Sequence, residues 1–359
     1  MLSPPSFSVC IPTFNRANYL KKLVNQLIAF IEEDKLDLEV CIADNCSDDN
    51  TWEFLQSIAA LHPRFKIKRQ DFNIGATSNL IDVTSMATSE WMMVIGDDDR
   101  FVKEGFIEFL FALPTINNCD YILLNSFQTD SKNLFDFSHG EHSMEDMLPV
   151  LKKSIAEFGF CGVHVFKQSI ASQMRSVDCE NIRPWPSFST FIKHLTKNKI
   201  FFFSRPAVQQ CGNGIALHWQ PIHWLHLCIR QLVVLQINVS TASQDHKKSL
   251  NKIVLSNLWS FNFLKVFYAA LLYLPLDTRA ILKAHDYKNL LTLTGGLLIK
   301  LHSIAFQLLS LIPISIHYFL VSRLTAKDIN DYKFNGEINK NDGFDRFLDI
   351  INKVDVDGR

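Results

Sequence analysis

The chain has 359 residues, 47% of them hydrophobic and 20% charged, with a formal net charge of −1. That length and apolar share allow a substantial core and exclude an intrinsically disordered chain. The near-neutral charge gives no electrostatic footprint for nucleic acid. Eight scattered Cys with no CxxC pair exclude a disulfide framework and read as reduced thiols of a cytosolic protein.

The N-terminus, MLSPPSFSVCIPTFNR, lacks a basic stretch followed by a long apolar core and is not read as a signal peptide. Phe7 to Ile11 is predicted as a strand. Leu20, Leu23, Val24, Leu27, Ile28 and Ile31 then follow helical spacing and mark one apolar face. Leu38 to Ala43 is the second strand. Asn50 with Glu53 three residues later has the form of a capping box, opening a helix through Trp52, Leu55, Ile58 and Ala59. Phe65 to Lys68 is a third strand, Ala76 to Ala87 a third helix and Trp91 to Ile95 a fourth strand. A helix from Lys103 to Leu113 and a strand from Tyr121 to Leu124 follow. Strands alternating with helices predict an α/β fold, a mostly parallel sheet flanked by helices.

In such sheets ligands bind outside the carboxyl ends of the strands. The polar clusters fall there: Thr13-Phe14-Asn15-Arg16, Asp44-Asn45-Cys46-Ser47-Asp48-Asp49, Asn73-Ile74-Gly75 and Asp97-Asp98-Asp99. The last is the most telling. An apolar strand runs through Gly96 into three consecutive carboxylates, which repel one another. A divalent cation holding phosphate oxygens relieves that repulsion; an acidic turn at a strand end is the other reading of the triplet taken alone.

From Phe158 to Val208 the pattern changes. Val163 to Phe166 and Ile200 to Phe203 are predicted strands flanking the loop Arg183-Pro184-Trp185-Pro186-Ser187. Gly212-Asn213-Gly214 is a turn signal, and a helix is predicted from Pro221 to Leu235. His218, His223 and His226 sit near Trp219 and Trp224. No Cys or carboxylate at good spacing completes a zinc set, which leaves structural or interfacial histidines, or contacts to a bound ligand. From about Ser249 the pattern is helical. Ser303 to Ser322 carries no formal charge, and Lys300, Arg323 and Lys327 flank it. Gln307, Pro313 and His317 make it a poor bilayer span. A helix lying in a membrane interface is the favoured reading, and a buried hairpin of a soluble domain the alternative.

The stretches VCIPTFNRANYL, EVCIADNCSDDNT, NIGATSN and EWMMVIGDDD, in that order, resemble the family 2 glycosyltransferases. These are inverting nucleotide-sugar enzymes of the GT-A fold. The likeness is greatest to the abequosyltransferase-like subgroup, whose bacterial sugar transferases build O-antigen or capsule. It covers the first third of the chain firmly and residues 155 to 220 loosely. It implies a GT-A nucleotide-sugar-binding half at 1–125, an acceptor-binding half at 126–240, a helical and membrane-associated region at 241–325, and a polar tail at 326–359.

The resemblance implies roles residue by residue. Pro12, Thr13 and Arg16 line the nucleotide pocket. Asp44 accepts a hydrogen bond from the base, with Asn45 and Ser47 shaping the loop. Asn73 and Gly75 lie near base and ribose, Gly75 letting backbone approach the ligand. Asp97 and Asp98 face the donor, and the acidic cluster holds Mg²⁺ or Mn²⁺ on the diphosphate. The family pattern Asp-x-Asp-Asp begins where Gly96 stands here, so the ligands are either Asp97 with Asp99 or Asp98 with Asp99. The catalytic base is sought in SVDCENIRPWPSF, at Glu180 or Asp178, with Glu180 preferred because it lies nearer the Pro/Trp loop.

The function so implied is metal-dependent, inverting sugar transfer from a nucleoside diphosphate to a hydroxyl of a glycan or polyprenyl-linked acceptor, in surface polysaccharide biosynthesis. The enzyme would be cytoplasmic and peripheral on the cytoplasmic face of the inner membrane. A nucleotidyltransferase is disfavoured because PTFNR lacks the Gly-rich, Arg/Lys-bearing phosphate loop of that class. A non-catalytic nucleotide-sugar-binding protein is disfavoured because all three Asp are present.

Overall fold

A computed structural model describes residues 6–127, 133–153, 155–175 and 186–211, with scattered helical residues between 247 and 256. The chain divides into two compact units, residues 1–218 and 219–359. Of the second, Leu250 and Ile253 are helical and buried.

The first unit opens with the predicted alternation: β1 (Phe7–Thr13), α1 (Ala17–Glu32), β2 (Leu38–Asp44), α2 (Thr51–Leu61), β3 (Phe65–Arg69), α3 (Ala76–Thr84) and β4 (Trp91–Val94). β2 is buried along its whole length, as expected of a parallel strand covered on both faces. The order β3-β2-β1-β4 is parallel throughout. Its register sets Thr13 beside Asp44 and Asp44 beside Arg69, so the carboxyl ends of three strands lie side by side.

α1 buries Leu20, Leu23, Val24 and Leu27 as its spacing predicts; Phe30 completes the face, while Ile28 and Ile31 are only half-buried. The capping box does not form. Asn50 precedes α2 but its side chain makes no cap hydrogen bond. Asp49 instead accepts the Thr51 N–H at 2.9 Å and the Thr51 hydroxyl, and also the N–H of Ala17 at 3.2 Å. One carboxylate thus serves the first turns of both α1 and α2, where helix dipoles favour negative charge.

The rest of the unit comprises β5 (Arg100–Phe101), α4 (Lys103–Ala112), β6 (Tyr121–Phe127), β7 (Gly140–His142), α5 (Met144–Lys153), β8 (His164–Lys167), α6 (Gln168–Arg175), α7 (Pro186–Leu195) and β9 (Ile200–Gln209). The nine-stranded sheet runs β3-β2-β1-β4-β8-β6-β9-β5, with β7 also on β9. β1, β2, β3, β4, β6 and β9 point one way. β8 enters antiparallel between β4 and β6, and β5 and β7 pair antiparallel to β9.

Phe7, Phe30, Phe101, Phe106 and Phe109 pack edge-on or tilted around α4. Gly105 of α4 lies directly on β9: a Cβ there would stand 1.8 Å from the Pro206 carbonyl oxygen. That contact fixes the course of β9, whose end reaches the acidic turn. Among the described residues no helix is long and apolar enough to cross a membrane. The predicted helix 221–235, the three histidines at 218–226, the turn at 212–214 and the apolar stretch 303–322 lie outside the described residues, as do Asp178 and Glu180.

Candidate active site at the carboxyl edge of the sheet

The loops after β3, β2, β1 and β4 are joined in that spatial order by side-chain hydrogen bonds. Between the loops after β3 and β2, Asn45 Nδ2 donates to Asn73 Oδ1 at 2.8 Å, and Asn45 Oδ1 accepts the Ile74 N–H at 2.9 Å. Asn73 Oδ1 also takes the Gly75 N–H at 2.9 Å. Between the loops after β2 and β1, the Asn15 N–H donates to Ser47 Oγ and the Asp48 N–H to Asn15 Oδ1, each at 2.9 Å. From β1 to the acidic turn, the Thr13 hydroxyl donates to Asp97 Oδ2 at 2.7 Å. Arg16 Nη1 donates to Asp97 Oδ1 at 3.2 Å and to Asp98 Oδ2 at 2.8 Å.

Backbone shape agrees with this function-bearing edge. Asn15, Cys46 and Gly75 all have positive φ, at 53°, 64° and 84°. For the two non-glycine residues that is a conformation held only where surrounding contacts enforce it. Nothing stands within 4 Å of a Cβ built on Gly75, so its glycine answers to backbone shape and leaves open space beside the loop.

Asp44 is fully buried. Its carboxylate accepts the Ser47 N–H at 3.2 Å and the Ser47 hydroxyl, and pairs with Arg69 Nε at 3.5 Å. Arg69 also donates to the Ser47 carbonyl at 2.6 Å and lies over the Trp52 ring.

In the acidic turn, Asp97, Asp98 and Asp99 are 5%, 7% and 5% exposed. The Asp98 and Asp99 carboxylates fold back over Gly96: a Cβ there would sit 2.7 Å from Asp99 Oδ2 and 3.0 Å from Asp98 Oδ1. A side chain at this position, where the family pattern carries its first Asp, would make those two carboxylates swing aside. The Cys211 N–H, just beyond β9, donates to Asp99 Oδ1 at 3.2 Å. Burial pushes the Asp97 carboxyl up to about 6, against the opposing pull of Arg16 and Thr13. Burial and then the Asp98 charge push Asp99 up to about 8.

Arg16 thus pairs a single charge with two of the three buried carboxylates, Asp97 and Asp98. Among the described residues no three His, Cys, Asp or Glu side chains form a ready-made cation cage. A magnesium-type cation needs none, since it takes one or two carboxylates and completes its shell with phosphate oxygens and water. Buried carboxylates sharing one arginine charge at the carboxyl edge of the sheet fit such a cation.

Sequence reasoning named Pro12, Thr13, Arg16, Asp44, Asn45, Ser47, Asn73, Gly75 and the three Asp, and the structure brings them to one edge. It missed Arg69, Cys211 and Cys161, and named Asp49 only within its loop cluster. Burial raises the Cys161 thiol, with Asp99 and Asp98 adding to the effect. The register of β3 beside β2 was the one available signal for Arg69; no local pattern marks the cysteines.

Residues 8–180 match glycosyl transferase family 2. The abequosyltransferase RfbV of Salmonella typhimurium is 36% identical over 99 residues, 27% of this chain and 29% of that protein. A Campylobacter jejuni GalNAc(5)-diNAcBac-PP-undecaprenol beta-1,3-glucosyltransferase is 29% identical over 100 residues, 28% of this chain and 31% of that protein. The chain thus matches less than a third of the length of these two curated relatives. Among solved structures, S. aureus TarS 1–349 in complex with UDP superposes with a TM-score of 0.60 at 15% identity, covering 81% of both chains. That likeness shows a shared fold, the GT-A arrangement of a largely parallel sheet between helices.

Proposed function

We propose, from the match of residues 8–180 to glycosyl transferase family 2, that the protein moves one sugar from a nucleoside-diphosphate sugar to a hydroxyl of a glycan or lipid-linked oligosaccharide, with inversion and with Mg²⁺ or Mn²⁺. The observation that carries the reading is the hydrogen-bonded run of four loops ending in a buried acidic turn.

In this reading Asp44, Asn45 and Ser47 hold the base, and Asn73 and Gly75 border the ribose. Pro12, Thr13 and Arg16 line the nucleotide pocket. Asp97, Asp98 and Asp99 face the diphosphate, and Asp99 with Asp97 is the favoured cation pair. A bound divalent cation supplies positive charge to the leaving nucleoside diphosphate. Glu180, or Asp178, takes the proton of the acceptor hydroxyl on the opposite sugar face, and attack from that face inverts the anomeric centre.

The undecaprenol-linked acceptor in the Campylobacter relative's name supports a lipid-linked acceptor here. RfbV supports a role in surface polysaccharide. A lipid-linked acceptor in turn supports work at the cytoplasmic face of the inner membrane.

A thermal-shift screen against UDP-, GDP-, CDP- and dTDP-sugars with and without Mn²⁺ tests the reading, because a ligand that binds the folded state raises its melting temperature. One nucleotide class should raise the midpoint, and only with Mn²⁺. No shift with any donor overturns the donor assignment; equal shifts without Mn²⁺ overturn the cation.

A further inference from the structure

The Arg16 guanidinium occupies carboxylate oxygens of the acidic turn, one of them on Asp97 of the favoured cation pair. Its Nη1 bridges Asp97 Oδ1 at 3.2 Å and Asp98 Oδ2 at 2.8 Å. Its backbone is not free to leave: the Arg16 carbonyl accepts the N–H groups of Tyr19 and Leu20, both at 3.0 Å, as the first residue of the α1 cap. Its side chain makes no cap bond and is 35% exposed, while its carboxylate partners are 6% and 9% exposed. A fixed backbone thus carries a guanidinium with one face on buried carboxylates and one toward solvent. Arginine binds carboxylate and phosphate with the same fork of donors, so a diphosphate arriving from solvent is an equivalent partner.

We propose that Arg16 is a positioning residue that couples cation binding to donor binding, competing with the divalent cation for Asp97 and Asp98 until a nucleoside diphosphate takes its guanidinium. The inference rests on the reading of the acidic turn as the cation and diphosphate site. Its consequence is linkage. Arg16 weakens the cation's hold on the protein alone, and the diphosphate removes that weakening, so each ligand favours the other through this one side chain. A merely structural Arg16, holding the turn in shape, has the opposite consequence: its loss weakens cation binding.

The test is titration of Mn²⁺ into the full-length protein, followed by the electron paramagnetic resonance signal of free Mn²⁺. It is run alone and with saturating UDP, GDP, CDP or dTDP, on the wild type, Arg16→Gln and Arg16→Lys. Arg16→Gln should bind Mn²⁺ alone at least about five-fold more tightly than wild type, a typical coupling factor. The tightening that the nucleotide then adds should shrink by a similar factor. Arg16→Lys, whose ammonium is a point charge without the fork, should fall between, and serves if the glutamine variant does not fold. Equal or weaker Mn²⁺ binding by both variants overturns the inference and leaves the cation site standing. No Mn²⁺ binding by the wild type under any condition overturns the cation reading and the inference with it.

Discussion

Asp99 is the residue on which the cation assignment turns. It is buried, it belongs to either ligand pair, and its near neighbour Asp98 repels it. Asp99→Ala is expected to abolish cation-dependent nucleotide binding while leaving the circular dichroism spectrum unchanged; full transfer activity in both Asp97→Ala and Asp99→Ala sinks the assignment. The acidity of the turn supplies a second check. Both carboxyls are raised above their ordinary value of 3.8, to about 6 and about 8. A raised carboxyl keeps its proton in the folded chain where the unfolded chain has already ionised. Its contribution to stability is therefore full below about pH 4 and is lost as pH rises, through about 6 for Asp97 and about 8 for Asp99. Without added metal, Asp99→Asn should melt higher than wild type at pH 8.5, and this advantage should shrink at pH 5. A pH-independent difference counts against the burial argument. At the other end of the loop series, Asp44→Asn should weaken nucleotide binding with little change in Mn²⁺ dependence. Unchanged affinity for nucleoside diphosphates in that variant removes Asp44 from the base pocket.

At the scale of elements, the parallel half was legible because each strand and helix carries its own period. β1 to β4 and α1 to α4 fall where alternation and helical spacing put them, with ends shifted by a few residues. α3 stops at Thr84 and α4 at Ala112, short of the predicted Ala87 and Leu113. The antiparallel insertion of β8 between β4 and β6 was not legible, because Val163 to Phe166 reads as a strand of either direction and its neighbours come from distant sequence. The capping box failed for a similar reason: Asp49 finds Ala17 across a loop, a contact no local pattern carries. The site followed the same rule. Residues named from the loop motifs lie together at one sheet edge. Arg69 at the end of β3 and Cys211 beyond β9 were not named, since pairing alone brings them in. β9 is the element that closes the acidic turn, and Gly105 sets its place. Gly105→Ala puts a methyl against the Pro206 carbonyl and should cost roughly 1–3 kcal/mol, as overpacking does. It should also lower Mn²⁺ affinity, by shifting the Cys211 N–H away from Asp99. Chemical denaturation with a parallel Mn²⁺ titration measures both, and a fully stable variant with wild-type Mn²⁺ binding shows that α4 does not hold the turn.

At the scale of the whole molecule, the proposed function requires that a polar sugar donor and a lipid-linked acceptor meet. The proposed donor edge belongs to the first unit; the stretch from Ser303 to Ser322 belongs to the second and carries no formal charge. A helix there lying in the bilayer interface and burying roughly 400 Å² of apolar area would gain about 10 kcal/mol. Association costs roughly 4–15 kcal/mol, so apolar burial alone sits near break-even. The balance then falls to the flanking Lys300, Arg323 and Lys327, each worth about 1 kcal/mol near an anionic surface. Attachment is therefore expected to be peripheral, to need anionic lipid and to weaken with salt. Flotation of the full-length protein with phosphatidylglycerol-containing liposomes should carry it to the lipid fraction, whereas purely zwitterionic liposomes should carry far less. Replacing Lys300, Arg323 and Lys327 together by Gln should release it, while substitution of Asp99 should not. A full-length protein that stays monodisperse without lipid or detergent and floats with neither liposome places the apolar stretch in a protein core, and the acceptor must then be delivered by some other surface.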